Sequence, residues 1–240
     1  MLEDGRPGAV RDERRHAEQI AQNLSLESSK LLASAKRLEK NAMSNKVIAI
    51  SGSYRKGGVT EQALEAMLEG ARQRGAETRL IRLTEQEIGF CTNCRQCCQQ
   101  AGTERAACVQ QDDLQPLLSE LESASAIILA SPINYGNLTA IFRRFLERLI
   151  GAAYWPWGSA MPKPRWKTLP RKAVFIASSA MPGFLIPIFT GTRYAMRTMA
   201  QMLGARPVGS LWIGLSAMEP DHQISAATLA RARKLGMKLA

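Results

Sequence analysis

Histidine is nearly absent from this chain of 240 residues, occurring only at His16 and His222. Ser-His-Asp and Cys-His catalysis need a histidine beside the nucleophile, and many zinc proteases need two histidines on one helix. The chain also contains no GxSxG and no HExxH segment. These absences argue against a hydrolase of any of these kinds.

Long apolar runs are also missing. The longest, residues 173–189, is interrupted by Pro182 and Pro187, whereas a membrane-spanning helix needs about 18 or more consecutive apolar residues. The first 30 residues lack the apolar centre of a secretory signal. We therefore expect no transmembrane segment, no export and a cytoplasmic location.

All five cysteines fall within residues 91–108. Cysteines crowded into one segment cannot connect distant parts of a fold by disulfide bonds, and an odd number leaves one unpaired. A reducing compartment fits this pattern. The five are Cys91, Cys94, Cys97, Cys98 and Cys108.

Acidic residues are outnumbered, since 32 lysines and arginines face 21 aspartates and glutamates, for a formal net charge of +11. Clustered basic residues attract nucleic acid through its phosphates, but here they are dispersed except in residues 160–172. That stretch contains three prolines, which is typical of an irregular loop. We expect no nucleic-acid partner, and either a solvated loop or a site for a phosphorylated cofactor or an acidic partner.

From Lys46 onward, short apolar runs alternate with helical patterns. Strands separated by helices of this length require right-handed crossovers and hence a parallel sheet covered on both faces. The pattern predicts an α/β fold over residues 46–240, a three-layer, doubly wound, five-stranded parallel sheet. The strands are predicted at residues 47–51, 78–83, 126–133, 172–179 and 205–215, and one of the helices at residues 139–152.

Residues 1–45 differ from the rest of the chain. A charged, turn-rich start is followed by apolar residues at roughly helical spacing. We predict an N-terminal extension with an amphipathic helix. It is either loosely attached or packs on the domain, a partner helix or a membrane surface.

The ligand of an open parallel sheet binds beyond the carboxyl ends of the strands, so the loops that follow strands carry the candidate site. The first loop, SGSYRKGGVT at residues 51–60, offers glycines, hydroxyl groups and two basic side chains before a helix. Free helix N–H groups and positive charge together bind phosphate. The loop matches neither a nucleoside-triphosphatase loop nor GxGxxG, so we predict a site for a single terminal phosphate.

Two further loops suit a flat ring. SPINYGNLTA at residues 131–140 has a proline that restrains the chain, a glycine that permits close approach, and amide groups for hydrogen bonds. SSAMPGF, which begins at Ser178, offers small residues where a ring edge can lie. A heteroaromatic ring is therefore predicted beside these loops.

GSYRKGGVT, the C-x2-C-x2-C segment that runs into C-x3-DD, and SPINYGN together resemble the NADPH-dependent FMN reductase family of flavodoxin-like proteins, including its iron-sulfur flavoprotein branch. The resemblance covers residues 46–240. It implies the strand order 2-1-3-4-5, a homodimer or homotetramer, and a bound FMN. The implied FMN contacts are Ser53, Arg55, Gly58, Val59 and Thr60 at the phosphate, and Pro132, Ile133, Asn134, Tyr135, Gly136, Asn137 and Ser178 at the ring.

Residues 91–108, which we call the cysteine segment, follow the second predicted strand. We therefore expect this segment at the carboxyl edge of the sheet, beside the loops predicted to bind the phosphate and the ring. Cys91, Cys94 and Cys97 have the short spacing that wraps a 4Fe-4S cluster, with Cys108 or Cys98 available as the fourth ligand. The iron-sulfur branch places its fourth cysteine closer to the third than Cys108 is to Cys97. Three other interpretations stay open: a metal-free loop, an all-cysteine zinc site, and a redox-active dithiol such as Cys94 with Cys97. The predicted metal ligands are Cys91, Cys94, Cys97 and Cys108.

The residues and the resemblance together predict an FMN-binding oxidoreductase that moves electrons from NADPH or NADH to a quinone, flavin or similar small-molecule acceptor. The flavin carries the chemistry, so no catalytic side chain is predicted. Lys163 or Arg165 is predicted to meet the extra phosphate of NADPH. One alternative is an electron carrier with FMN and an iron-sulfur cluster, and another is a flavin-free protein with a zinc-stabilised interaction surface.

Overall fold

The computed structural model describes residues 45–240. The predicted extension at residues 1–45 lies outside the described residues, except for its last residue. The strands are β1 Lys46–Ser51, β2 Glu77–Arg82, β3 Ala126–Asn134, β4 Asn137–Leu138, β5 Ala153–Tyr154, β6 Lys163–Pro164, β7 Arg171–Ser178 and β8 Ala205–Ile213.

Five of these strands form a parallel sheet in the order β2-β1-β3-β7-β8, which confirms the predicted order 2-1-3-4-5. The short strand β4 pairs antiparallel with the end of β3, and β5 pairs with β6 in a separate hairpin. The two extra pairings were not predicted, because each short strand spans two residues and leaves no periodic pattern.

The helices lie on both faces of the sheet. Within residues 45–240, no helix is long and apolar enough to cross a membrane. The α-helices are α1 Val59–Arg72, α2 Leu114–Ser123, α3 Ala140–Arg148, α4 Ile186–Phe189, α5 Thr192–Met202 and α6 Ala226–Gly236.

Strand β1 lies between β2 and β3 and is buried on both faces. Because successive strand side chains point to opposite faces, Ile48 and Ile50 join the apolar layer beneath α2, α3 and α5. Val47 and Ala49 join the layer beneath α1 and α6. The central strand thus links two cores and holds the loop after Ser51 in a fixed place.

The helix predicted at residues 139–152 is shorter in the structure. It ends at Arg148, and the chain continues as a 3₁₀ turn, Leu149–Ala152. The reason is the packing of Gly151 on the cysteine segment, since a Cβ atom there would lie 2.7 Å from the carbonyl oxygen of Ala106. The N–H of Ala106 also donates to the carbonyl of Gly151 at 3.2 Å. This carbonyl therefore accepts a hydrogen bond from the cysteine segment and not from a later residue of the helix.

Arg165 holds the cysteine segment against the β5–β6 hairpin. It is buried, and its guanidinium donates to the carbonyl oxygens of Gly151, Gly102 and Cys97 at 3.0, 3.2 and 3.2 Å. A buried guanidinium requires such acceptors because an unpaired charge is costly inside a protein. These bonds argue against Arg165 as the residue that meets the NADPH phosphate, whereas the alternative, Lys163, is exposed and stays a prediction.

Arg148 provides a second buried support for the same segment. It pairs with Asp112 through contacts of 2.6 and 3.2 Å, and it donates to the carbonyl of Gly89 at 2.8 Å and to Gln110 at 3.0 Å. Burial opposes the charge on both ionised side chains, but the hydrogen bonds of the pair prevail. The pKa of Asp112 is therefore lowered and the pKa of Arg148 is raised.

Helices α1 and α6 cross with their backbones in contact. A Cβ atom on Gly70 would lie 2.1 Å from the carbonyl oxygen of Arg233, and one on Gly236 would lie 1.8 Å from that of Met67. Because glycine has no side chain, the two backbones can approach closely, and α6 packs against the helix that follows the first loop.

We predict that Gly236→Ala lowers the free energy of unfolding by about 1–3 kcal/mol, because the added methyl group forces the two helices apart. Urea unfolding measures the effect. Lys234→Ala, on an exposed position of the same helix, is the control and should change stability by less than about 0.5 kcal/mol. Equal stability of Gly236→Ala and the unaltered protein would contradict the backbone contact.

We predict that Asp112→Asn lowers the free energy of unfolding by about 3–5 kcal/mol at neutral pH, because it leaves the charge of Arg148 buried and unpaired. Since the pKa of Asp112 is lowered by folding, its contribution is present above the unfolded pKa of about 3.9 and is lost as pH falls below it. Urea unfolding at neutral and acidic pH should show the deficit shrinking in acid. The exposed Glu104→Gln is the control, and a deficit that does not depend on pH would refute the ionised pair.

Candidate functional site

The loop between β1 and α1 places backbone N–H groups at the carboxyl edge of the sheet. Gly57 has a φ of 70°, a left-handed conformation that glycine adopts without strain. Gly58, the residue before the helix, has no side chain that could cap it. The N–H groups of the first turn have no carbonyl partner within the helix, so they are available to a ligand. These groups lie at the positive end of the helix dipole, which suits an anion.

Hydroxyl groups tie this loop to the end of β7. The Oγ1 of Thr60 and the Oγ of Ser178 are 2.8 Å apart, and both residues are buried. The Oγ of Ser53 donates to the carbonyl of Arg55 at 3.1 Å and accepts from its N–H at 3.2 Å. Two residues that the sequence placed on separate loops, Thr60 and Ser178, are therefore in direct contact.

A small cavity of about 80 Å³ lies beside the first loop. Residues 55–59 line one side, and Ser216 and residues 220–223 line the other. Arg55 donates to the carbonyl of Pro220 across it. Sites for whole organic ligands usually measure about 300–1,000 Å³, so this cavity suits a single phosphate-sized group. The sequence analysis missed residues 216–223, although they too follow the carboxyl end of a strand.

An unexpected carboxylate supports the first loop. The Oε2 of Glu61 accepts from the N–H of Gly57 at 2.9 Å, and its Oε1 accepts from Nε of Arg82 at 2.8 Å. Hydrogen bonding to Glu61 raises the pKa of Arg82. Because Arg82 neutralises this buried acid, Glu61 fixes the turn without adding an unpaired negative charge beside an anion site.

Residues 131–140, which we call the ring loop, form a tight hairpin between β3 and β4. Tyr135 and Gly136 occupy its turn with φ values of 47° and 76°, as a type I′ turn requires. Asn134 and Asn137 face each other across it, and the ring of Tyr135 is fully exposed. Pro132 lies beside Ser178 in the neighbouring strand β7.

Hydrogen bonds connect the ring loop to its neighbours. The hydroxyl of Thr139 donates to the carbonyl of Gly52 in the first loop at 2.8 Å. The N–H of Gly191, directly before α5, donates to the carbonyl of Gly136 at 3.0 Å. The predicted phosphate and ring loops therefore meet at one edge, together with the start of α5.

Large apolar side chains are exposed around this edge, on the ring loop and on segments that follow β7 and β8. Exposed apolar groups that cluster at one site commonly mark a binding surface. We call this set the apolar rim, and its members are Tyr135, Phe184, Ile188, Phe189, Tyr194, Leu215 and Met218.

The cysteine segment lines a separate cavity of about 760 Å³ with a mostly apolar wall. Buried Cys98 is not among its lining residues. A zinc ion needs four ligands around one point, and no three Cys, His, Asp or Glu side chains within residues 45–240 converge in that way. The cavity is lined by Cys91, Cys94, Cys97 and Cys108, with Arg148 and Trp155 among the other residues.

Cys97, which lines this cavity, is a poor candidate for dithiol chemistry. Burial raises the pKa of Cys97 to about 12, and it also raises the pKa of Cys98. The thiolate is the reactive form, so a raised pKa suppresses nucleophilic attack near neutral pH. The structure therefore argues against Cys94 with Cys97 as a redox-active pair.

The fold is similar to that of other solved structures. An NAD(P)H:quinone oxidoreductase from Methanothermobacter marburgensis aligns with a TM-score of 0.60 and 19% identity over 82% of this chain and 100% of that one. An azoreductase from Bacillus anthracis aligns with a TM-score of 0.60 and 14% identity over 80% of this chain and 99% of that one. At these identities, the two structures support the flavodoxin-like fold.

Curated relatives match part of the chain. An iron-sulfur flavoprotein of Archaeoglobus fulgidus is 33% identical over 111 residues, which are 46% of this chain and 48% of the relative. One from Methanosarcina thermophila is 33% identical over 105 residues, 44% of this chain and 52% of the relative. The chain thus spans about half the length of the curated relatives it matches. The NADPH-dependent FMN reductase family matches residues 45–216, and the chain belongs to that family.

Proposed function

We propose that this protein binds FMN at the carboxyl edge of its sheet and moves electrons from NADPH or NADH to a quinone, flavin or similar small-molecule acceptor. The observation that carries the proposal is the meeting of the predicted phosphate and ring loops. The contacts are Thr60 with Ser178 at 2.8 Å, and Thr139 with Gly52 at 2.8 Å. A mononucleotide needs a phosphate site and a ring site in one fixed arrangement, which these contacts support.

The donors of the first loop fit the FMN phosphate. The N–H groups at the start of α1 supply neutral donors, and Arg55 supplies a positive charge at the small cavity beside them. The residues that would hold the phosphate are Ser53, Arg55, Gly58, Val59 and Thr60.

The ring loop and the apolar rim fit a flat, largely apolar ring. Residues 132–137 and Ser178 would flank it, with backbone groups of the hairpin available for its polar edge. When bound, FMN supplies hydride and electron transfer. The protein's own residues position the ring and exclude water, so no side chain needs to act as acid or base.

The apolar rim also supports self-association. Phe184, Ile188, Phe189 and Tyr194 are each at least 69% exposed, and a lone chain leaves these side chains in water at a cost. A homodimer or homotetramer that covers them would enclose the ring site.

We predict that Arg55→Ala weakens FMN binding about tenfold or more, because a charge-assisted hydrogen bond to phosphate is lost. Thr60→Val should also weaken it, and Thr60→Ser, which keeps the hydroxyl, should largely restore it. Quenching of flavin fluorescence measures the affinity, and thermal unfolding without FMN checks that each variant folds. Arg231→Ala, an exposed site on α6, is the control. Unchanged affinity in both Arg55→Ala and Thr60→Val would refute the phosphate site.

A second function, electron transfer through FMN and a 4Fe-4S cluster, is favoured by the cysteine cavity. Each thiolate of such a cluster binds a different iron, so four thiols must surround one space rather than one point. Cys91, Cys94, Cys97 and Cys108 line the same cavity, which supports this arrangement. The matched relatives are named iron-sulfur flavoproteins.

The surroundings of Cys108 favour it over Cys98 as the fourth ligand. The guanidinium of Arg148 lies 3.5 Å from the sulfur of Cys108, and positive charge and hydrogen bonds near ligand sulfurs stabilise an anionic cluster. Cys98 does not line the cavity, and its sulfur lies 3.5 Å from the carbonyl oxygen of Ile150.

We predict that the protein, reconstituted anaerobically with iron and sulfide, takes up about four of each per chain. Cys108→Ser should lose most of this content, whereas Cys98→Ala should retain it, because Cys98 does not line the cavity. Iron and sulfide analysis after gel filtration measures the uptake. No uptake by the unaltered protein would refute the cluster and leave the flavin proposal standing, and equal losses in both variants would refute the choice of Cys108.

A further inference from the structure

Two arginines of α5, Arg193 and Arg197, lie one helical turn apart and are exposed. Like charges four residues apart on a helix repel each other, and α5 contains no acidic residue. Neither guanidinium forms a hydrogen bond or an ion pair with any side chain or carbonyl in residues 45–240. The pair is thus a concentration of positive charge that this part of the fold does not neutralise.

Both arginines line a groove of about 380 Å³ between α5 and the edge strand β8. The exposed lining of the groove is mainly polar, and the partly buried Trp212 adds an aromatic side chain beside the hydroxyl group of Ser210. The volume falls within the usual range for small-molecule sites. Guanidinium pairs recognise phosphate, and an indole offers a flat surface for a heteroaromatic base. The combination fits a base that carries a phosphate ester.

The groove starts close to the proposed flavin ring. Gly191 is hydrogen-bonded to Gly136 in the ring loop, and α5 begins at the next residue. Arg193 and Arg197 are two and six residues beyond Gly191, so a helical rise of 1.5 Å per residue puts them about 3 and 9 Å farther along the axis. Pro187 of α4 lines the groove as well. A dinucleotide whose nicotinamide lies on the flavin extends far enough to enter it.

We propose that this groove binds the phosphorylated adenosine end of NADPH, with Arg193 and Arg197 pairing with the 2′-phosphate that NADH lacks. Trp212 provides the surface for the adenine. The inference rests on the proposed function, since it assigns the electron donor of that site. In this proposal Arg193 and Arg197 take the role that the sequence analysis gave to Arg165. The guanidinium of Arg165 donates hydrogen bonds to three carbonyl groups and is not available to a phosphate.

Steady-state kinetics with the flavin-loaded protein test the assignment. In the double variant Arg193→Ala/Arg197→Ala, kcat/KM for NADPH should fall about tenfold or more, chiefly through KM, while kcat/KM for NADH changes less than about twofold. The exposed Arg74→Ala, remote from the groove in sequence, is the control for a lost surface charge. Equal losses for the two dinucleotides, or no loss for NADPH, would overturn the proposal.

A binding measurement that needs no flavin separates this inference from the proposed function. Calorimetry with adenosine 2′,5′-bisphosphate should detect binding to the unaltered protein and its loss in the double variant, while 5′-AMP binds both equally weakly. Absent binding to the unaltered protein, or equal binding to the double variant, would refute the groove. If neither dinucleotide reduces bound flavin, the proposed function fails, and the bisphosphate result still decides whether the groove recognises the phosphorylated adenosine.

Discussion

The contact between Thr60 and Ser178 is the interaction on which the candidate site depends. Thr60 lies in the first turn of α1, and Ser178 ends β7, two strands away from β1 in the sheet. Their hydroxyl oxygens, 2.8 Å apart, hold the start of α1 over the carboxyl ends of the strands. Because the hydroxyl of Thr139 binds Gly52 on the same edge, the loops are prearranged and a ligand need not order them at its own entropic cost.

The arginines of this basic chain have different roles, and the role of each follows from its burial and its hydrogen-bond partners. Arg148 and Arg165 are buried, and they fasten the cysteine segment to the body of the fold. Arg82 neutralises Glu61 beneath the first loop. Arg193 and Arg197 remain exposed and unpaired within the described part of the chain, at a groove. Net charge alone predicts little, because each guanidinium acts through its own surroundings.

The sequence was informative where local pattern determines structure. The apolar run at residues 47–51 predicts a buried strand because it is short and rich in β-branched residues, and the glycines at 57 and 58 mark the turn into α1. The strand order was confirmed but came from a family resemblance, since periodicity carries no information about which strands are neighbours. The site contacts between Thr60 and Ser178 join residues 118 apart in sequence, so no local pattern reveals them. The same reason applies to Arg165, whose acceptors at Gly102 and Cys97 are more than 60 residues away in sequence.

The central claim is that the open N–H groups of α1 bind the phosphate of a mononucleotide. A crystal structure of the protein with FMN tests it most directly. The account predicts phosphate oxygens about 2.7–3.2 Å from the backbone nitrogens of Gly58, Val59 and Thr60, with the flavin ring against residues 132–137. A flavin phosphate bound elsewhere, or a first loop that stays closed to FMN at saturating concentration, would contradict it.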